Sequence, residues 1–224
     1  MLRLVKRIGL AVFLSHGAFA QIAPEPPSAV SKALEDALQN FPPLILGANT
    51  QAAQAGGGLV PPPCPAAGSR VERRGGSKME FLGTSQENPD LCLLRADGEP
   101  LEAWYGIWGR DWAGGDTAYR AIKRVLQSRT GDVVGFDTIA SPQAKWHDLI
   151  RHDGIEEIRL LDKVYKAVKL AHYREGFDGN SYRSVSTLWI DLATGLPVYG
   201  TYNHISGAPE LDGQLIPAAI VPAL

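Results

Sequence analysis

The side chains best suited to chemistry in this 224-residue chain are five histidines, two cysteines and several adjacent carboxylates. The stretch HDLIRHD at 147–153 contains two His-Asp pairs whose histidines are five positions apart. This spacing places the imidazoles on opposite faces of a strand, or about 140° apart on a helix, so they do not converge on a metal ion. His172 and His204 join them only through tertiary folding. We expect these histidines at the surface or at hairpin ends, and we predict no metal site.

The sequence lacks the motifs of nucleophilic and phosphate-binding enzymes. It has no Gly-x-Ser-x-Gly elbow and no Ser-x-x-Lys motif, and the glycine run 56–58 lies in a low-complexity segment. Cys92 lies in the apolar run 91–94, where a thiol is inert rather than activated. The adjacent carboxylates Glu156 and Glu157 point to opposite faces of a strand. We therefore predict no catalytic residues, no cofactor and no enzymatic activity.

Asp191 is the carboxylate with the most suggestive neighbours, because Thr194 and Gly195 follow it closely. Aspartic peptidases use a contiguous Asp-Thr-Gly tripeptide, twice, whereas here Leu192 and Ala193 separate the aspartate from the threonine. A hairpin explains the spacing better. The Asp191 side chain can accept hydrogen bonds from nearby amides, and Gly195 can supply the left-handed residue that closes a type I turn with a bulge. We predict that both residues shape a turn.

Aromatic side chains remain as candidates for ligand binding. Trp104 and Trp108 share one face of a predicted strand, and Tyr165 and Tyr173 share one face of another, with small residues between the rings. Large rings separated by small residues are typical of a concave apolar groove that holds a lipid or another small molecule. The alternative is that the rings fill the core between sheet and helix, since aromatic residues dominate ordinary cores. We predict Trp189 as core and keep the other four as candidate ligand contacts.

Residues 1–20 have the three parts of a secretory signal peptide: a cationic start at 3–7, an apolar run at 8–14 and an Ala-x-Ala cleavage sequence at 18–20. The apolar run is much shorter than the roughly 20 residues that cross a bilayer. We expect cleavage before Gln21, a periplasmic or secreted protein, and no membrane-spanning segment afterwards. Cleavage removes three cations and no acids, which changes the formal net charge from −2 to −5. Such a chain lacks the basic stripe of nucleic-acid-binding proteins.

The two cysteines, Cys64 and Cys92, have a spacing that excludes a Cys-x-x-Cys redox site, and two ligands do not complete a structural zinc site. In an oxidising compartment an isolated pair most simply forms a disulfide. The alternative is a pair of free thiols, with Cys64 on a mobile linker.

Composition divides the chain beyond the signal peptide into three parts. Residues 21–70 are rich in Pro, Ala and Gly and predict a mostly disordered linker, with one amphipathic helix near 28–41. Residues 71–207 contain short apolar runs separated by turn residues, which predicts an antiparallel β domain. One helix with an apolar stripe interrupts it, capped by Asp116 or Thr117 and ended by Gly131. Residues 208–224 form an apolar C-terminal tail.

The stretch 154–198, GIEEIRLLDKVYKAVKLAHYREGFDGNSYRSVSTLWIDLATGLPV, resembles an uncharacterised family of bacterial envelope proteins with a closing W-x-D-P-x-T-G-L-P-V hairpin. The matching positions are Gly154, Glu156, Trp189, Asp191, Thr194, Gly195, Leu196, Pro197 and Val198. The sequence departs from the family at Asp162-Lys163, where a small Ala-Gly turn is usual, and at Leu192, where proline is usual. The family is similar in plan to the half-barrel of periplasmic lipoprotein carriers. The resemblance implies a curved antiparallel meander with one packed helix, and it brings no catalytic residues.

These observations favour a mainly β (α+β) protein that is not an enzyme and that binds a lipid or another apolar molecule in the cell envelope. A structural or protein-interaction module, docking an envelope protein through the N-terminal helix and the apolar tail, is the alternative. An enzyme acting on envelope glycans, with tryptophans stacking on sugars, is the third interpretation.

Overall fold

The computed structural model describes residues 60–208 and 215–223. The predicted signal peptide, most of the predicted linker and its helix near 28–41 lie outside the described residues. The described chain forms eleven strands and one helix: β1 Arg70–Arg73, β2 Lys78–Thr84, β3 Leu91–Ala96, β4 Glu99–Trp104, β5 Trp108–Gly109, α1 Gly115–Leu126, β6 Val133–Ser141, β7 Ala144–Leu160, β8 Lys163–Gly176, β9 Arg183–Asp191, β10 Pro197–Ser206 and β11 Pro217–Val221.

The strands form two antiparallel sheets. Sheet A has the order β11-β1-β2-β3-β4-β5, and sheet B has the order β10-β9-β8-β7-β6. The predicted fold class, mainly β and antiparallel with one helix, is therefore confirmed. The strands are divided between two sheets instead of forming the single curved meander that we expected.

Sheet B is a meander in which every strand pairs with its neighbour in the sequence. Its centre is the long hairpin of β7 and β8, whose register runs from Trp146 opposite Gly176 to Leu160 opposite Lys163. Cross-strand partners share one face of a sheet, so Asp148 lies beside Arg174 and Ile150 beside His172 on the same face. These positions become important for the candidate site.

Sheet A is closed at one edge by β11, which pairs with β1 from Val221 opposite Arg70 to Pro217 opposite Arg73. The sequence predicts only a tail from residue 208. In the structure Leu215 and Ile220 are buried, and the amide of Ala223 donates to the Ser69 hydroxyl at 3.0 Å. Part of the predicted tail is thus an edge strand that buries its apolar side chains within the domain.

Helix α1 packs against β6, β7 and β5 through an apolar stripe. Its buried residues include Ala118, Ile122 and Val125, as the helical spacing predicts. Both predicted ends are wrong. The N-cap is Gly114, which has a left-handed φ of 73° and no side-chain cap. The helix ends at Leu126, before Gly131, because residues 127–131 turn toward β6 and the Gly131 amide donates to a carbonyl of β7.

The end of the predicted linker is packed against sheet A. Cys64 and Cys92 form the predicted disulfide, with Cα atoms 5.3 Å apart, and both residues are buried. The amide of Gly68 donates to the carbonyl of Phe81 at 2.8 Å. Residues 60–69 therefore reach β1 as an ordered segment held by a covalent link to β3.

Candidate ligand-binding cavity

The described part of the protein contains a cavity of about 760 Å³ bounded by sheet A, sheet B and α1. Its apolar wall includes Leu94, Leu101, Trp108, Ile122, Ile150 and Leu170. Ligand sites in proteins have volumes of roughly 300–1,000 Å³ and mostly apolar walls with a few polar groups. The volume and the lining of this cavity fall within those ranges.

A cluster of polar side chains on sheet B forms one part of the wall. Asp148 of β7 is fully buried and accepts three hydrogen bonds at its carboxylate. Thr138 Oγ1 donates at 2.5 Å, and His172 Nε2 and Arg174 Nε both lie 2.7 Å from the same carboxylate oxygen. The three partner residues line the cavity, so the aspartate behind them fixes their positions.

The charge of Asp148 is stabilised by these partners. Burial alone would raise the pKa of the carboxyl group, but the hydrogen bond and the charge of His172, together with the Arg174 guanidinium, hold the pKa below its ordinary value. Asp148 is therefore ionised at neutral pH. A buried carboxylate of this kind keeps Arg174 in one orientation.

Two tryptophans contact the guanidinium of Arg174. Its central carbon lies 5.3 Å from the ring centre of Trp108 and 5.0 Å from that of Trp146, within cation–π range of both rings. The Trp108 ring also meets His172 edge to face, with centroids 5.8 Å apart. The indole N–H groups of Trp108 and Trp146 are buried and have no hydrogen-bond partner among the described residues. This cavity wall is aromatic, cationic and rich in donors.

Trp112 lines the same cavity but is half exposed, at 52%. Its ring lies against Gly109, where a β-carbon would come within 2.6 Å of ring atoms. A glycine at this position allows the indole to lie directly on β5, with its centroid 6.2 Å from that of Trp108. Trp112 is thus the solvent-facing member of the aromatic wall.

Of the four aromatic residues predicted as ligand contacts, the structure places Trp108 in the cavity wall and the other three outside it. Trp104 stacks on Tyr119 of α1 with ring centroids 4.4 Å apart. Tyr165 and Tyr173 are buried, and burial raises the pKa of both phenols. The four side chains therefore do not form one surface. The sequence analysis did not select Trp112 and Trp146 as wall residues, although small or polar residues flank both of them in the sequence.

The expectation that the histidines lie at the surface or at hairpin ends is wrong for two of them. His152 is buried, and its Nδ1 accepts from the amide of Gly154 at 3.1 Å. His172 contacts Asp148 in the centre of sheet B. His147, in contrast, is about half exposed and lies 2.7 Å from Asp137. Within the described ranges, no three His, Cys, Asp or Glu side chains are arranged to hold a metal ion.

Asp191 and Gly195 lie in the β9–β10 hairpin, away from the cavity wall. The Asp191 carboxylate accepts from the Thr194 amide at 3.0 Å and from the Thr194 hydroxyl at 2.6 Å. Gly195 has φ +72°, and a β-carbon there would come within 2.4 Å of the Pro62 carbonyl oxygen. The carboxylate is used within the turn, and the glycine makes room for the segment that precedes β1.

A second polar cluster joins sheet A to α1. Asp90 accepts from Tyr119 at 3.0 Å and from Lys123 at 2.8 Å. Burial opposes ionisation, but the hydrogen bonds from Lys123 and Tyr119 lower the pKa of Asp90 overall. Burial and the nearby aspartate raise the pKa of Tyr105, whose φ of 54° is unusual for an aromatic residue. This cluster lies outside the cavity wall and fixes the helix against the sheet.

No protein-family model, no curated protein and no solved structure matches this chain. In residues 60–208 and 215–223, none of the helical structure is both long and apolar enough to cross a membrane.

Proposed function

We propose that this protein is a non-enzymatic protein of the bacterial envelope, periplasmic or secreted, that binds one apolar small molecule or lipid. The observation that supports the proposal is the cavity of about 760 Å³ with a mainly apolar wall between the two sheets. A concave space of this volume with mostly apolar walls and a few polar groups is the usual form of a small-molecule site.

The buried disulfide supports a location outside the cytoplasm, because disulfides persist in oxidising compartments. The proposed export predicts that the mature protein begins at Gln21. Mass analysis of the intact protein from an envelope fraction measures the N-terminus directly, and a retained Met1 in that fraction would contradict export by cleavage.

Binding is tested with a neutral apolar probe, N-phenylnaphthylamine, whose emission rises in an apolar site and which accepts energy from nearby tryptophans. Ser186 lines the cavity, whereas Val164, an exposed residue of β8, does not. Ser186→Trp should fill the cavity and abolish probe binding, and Val164→Trp should retain it. Equal binding by both variants would show that the probe binds elsewhere.

Native mass spectrometry of protein purified from its own envelope identifies the natural ligand. A co-purified lipid or small molecule of one mass supports the proposal. Ligand-free protein that also fails to bind the probe would end it.

A protein-interaction module is the second candidate function, and the tip of the β7–β8 hairpin favours it. Leu161 is 46% exposed and Val164 is 54% exposed. Leu161 also adopts φ +48°, a conformation that Asn or Gly enters more readily. Leu161→Asn should therefore fold at least as well as the parent. Loss of a stoichiometric partner from that variant, with probe binding unchanged, would favour the interaction function.

A further inference from the structure

Arg73 lies at a position of β1 where the alternation of inward- and outward-facing residues predicts an apolar side chain. It is two positions from Val71, which is fully buried, so both side chains are on the inner face of sheet A. Arg73 lines the cavity. Its Nε is buried without a hydrogen-bond partner, and its Nη2 contacts the Met79 sulfur at 3.8 Å. A sulfur atom is a weak acceptor, so it does not compensate a guanidinium.

The other cations of the cavity wall have carboxylate partners. Arg174 is bound to Asp148 at 2.7 Å, and the Lys78 ammonium group lies 3.1 Å from a Glu72 oxygen. Asp97 is the single carboxylate among the described wall residues. Its oxygen accepts from the backbone amide of Lys78 at 2.6 Å.

Arg73 makes no ion pair with Asp97 or with any other carboxylate in the described ranges. Removing part of a charged group from water without a carboxylate partner is unfavourable, and the Arg73 Nε is buried in this way. A planar guanidinium also binds carboxylate and phosphate groups through two parallel hydrogen bonds. The cavity thus presents a permanent cation, partly removed from water, at the edge of an apolar wall formed by Met79, Leu94 and Leu101.

We propose that Arg73 binds the anionic headgroup of the ligand, which is a single-chain amphiphile with a carboxylate or phosphate group. Its apolar chain lies along the inner faces of the two sheets. The inference rests on the proposed function, because it names the class of molecule that the same cavity takes.

The experiment compares three probes of equal chain length, dodecanoate, dodecyl phosphate and dodecan-1-ol, in calorimetric titrations of the full chain freed of co-purified ligand. The parent should bind at least one of the anions about tenfold more tightly than the alcohol, which corresponds to about 1.4 kcal/mol. The anion that binds more tightly distinguishes a carboxylate from a phosphate headgroup.

The variants separate charge from packing. Arg73→Met keeps a long apolar side chain and removes the charge, so it should lower anion affinity about tenfold and leave dodecanol binding unchanged. Arg74→Met is the matched control, because Arg74 is the adjacent exposed arginine and does not line the cavity. In the absence of ligand, Arg73→Met should melt at a higher temperature than the parent, since it removes a cation that has no carboxylate partner within residues 60–208 and 215–223. A merely structural arginine would give the opposite shift.

Equal affinity of the parent for the alcohol and both anions would overturn this inference and leave the proposed function standing. So would an equal loss of alcohol and anion binding in Arg73→Met. If Arg73→Met does not fold, Arg73→Gln takes its place, because it also removes the charge, and it should lower anion affinity about tenfold without changing dodecanol binding. Failure of all three probes, together with N-phenylnaphthylamine, to bind the parent would contradict the proposed function itself.

Discussion

Replacing Asp148 with asparagine tests whether the polar cluster of sheet B is a desolvated charge network. The substitution removes a fully buried negative charge and leaves one amide oxygen to accept from His172 and Arg174, which both lie 2.7 Å from the same carboxylate oxygen. The Arg174 side chain is only 15% exposed, so water replaces the lost carboxylate poorly. Removing one partner from a buried charge pair costs about 3–5 kcal/mol. For a domain of this size, the melting temperature should fall by roughly 6–20 °C.

The assay is thermal and urea unfolding followed by circular dichroism and tryptophan fluorescence. Asp178→Asn is the control, because that carboxylate pairs with a lysine but is 61% exposed, and such pairs contribute little. Adding Arg174→Met to Asp148→Asn should restore part of the lost stability, since the unpaired cation is then also gone. An Asp148→Asn variant that unfolds within about 1 kcal/mol of the parent would refute the argument, because a loss of 3–5 kcal/mol is expected.

The acid sensitivity of the protein should depend on the same residue. Because the pKa of Asp148 is lower in the folded protein than its ordinary value, the carboxylate stabilises the fold above about pH 4. That contribution is lost as the pH falls through the folded-state pKa. Asp148→Asn should therefore flatten the loss of stability below pH 4, measured by urea unfolding across the acid range. An unchanged dependence of stability on pH would mean that other carboxylates cause the acid sensitivity. Asp90 is one candidate, because its pKa is also lowered.

Three further outcomes follow from other parts of the structure. Replacing Cys64 and Cys92 together with alanine should lower the free energy of unfolding by up to about 3–4 kcal/mol, because the disulfide joins residues 28 positions apart. Urea unfolding measures this loss, and an unchanged midpoint would contradict it. Gly195→Val should lower the free energy of unfolding by more than about 1 kcal/mol, because residue 195 has a positive φ. Asp191→Asn should leave stability nearly unchanged, since asparagine can make the same turn; a larger loss in Asp191→Asn than in Gly195→Val would contradict these roles. Trp104→Ala should cost about 3–5 kcal/mol but leave ligand affinity unchanged, because its ring packs outside the cavity wall; weaker binding by the folded variant would show otherwise.

Local sequence patterns predicted much of the secondary structure. The alternation of apolar residues and the turn residues between them predicted the antiparallel strands, and the spacing of Ala118, Ile122 and Val125 predicted the buried face of α1. The division into two sheets was not predictable in this way. Pairing of β1 with β11 joins residues about 150 positions apart, and nothing in the local sequence of either strand specifies its partner. Helix ends were misplaced because Gly114 caps through its backbone conformation and provides no side-chain signal.

The residue pattern of β7 and β8 indicates the candidate site, but the sequence analysis did not use it. In β7 the alternate positions Trp146, Asp148 and Ile150 place a carboxylate in an apolar row, and in β8 His172 and Arg174 continue the row that contains Leu170. A charged residue at a core-facing register position is costly without partners. Two neighbouring strands with such positions predict a buried polar cluster. Arg73 after Val71 is the same kind of signal in sheet A, but the cavity requires both sheets to be in place.

The pairing of β1 with β11 has a consequence for the order of folding. Sheet B is formed by residues 133–206, each strand joined to the next by a short turn, so its contacts are local and form quickly. Sheet A remains open at β1 until Pro217–Val221 has been synthesised and has returned to the other end of the domain. Chains interrupted before residue 217 should expose the unpaired β1 edge and aggregate, even though sheet B is complete.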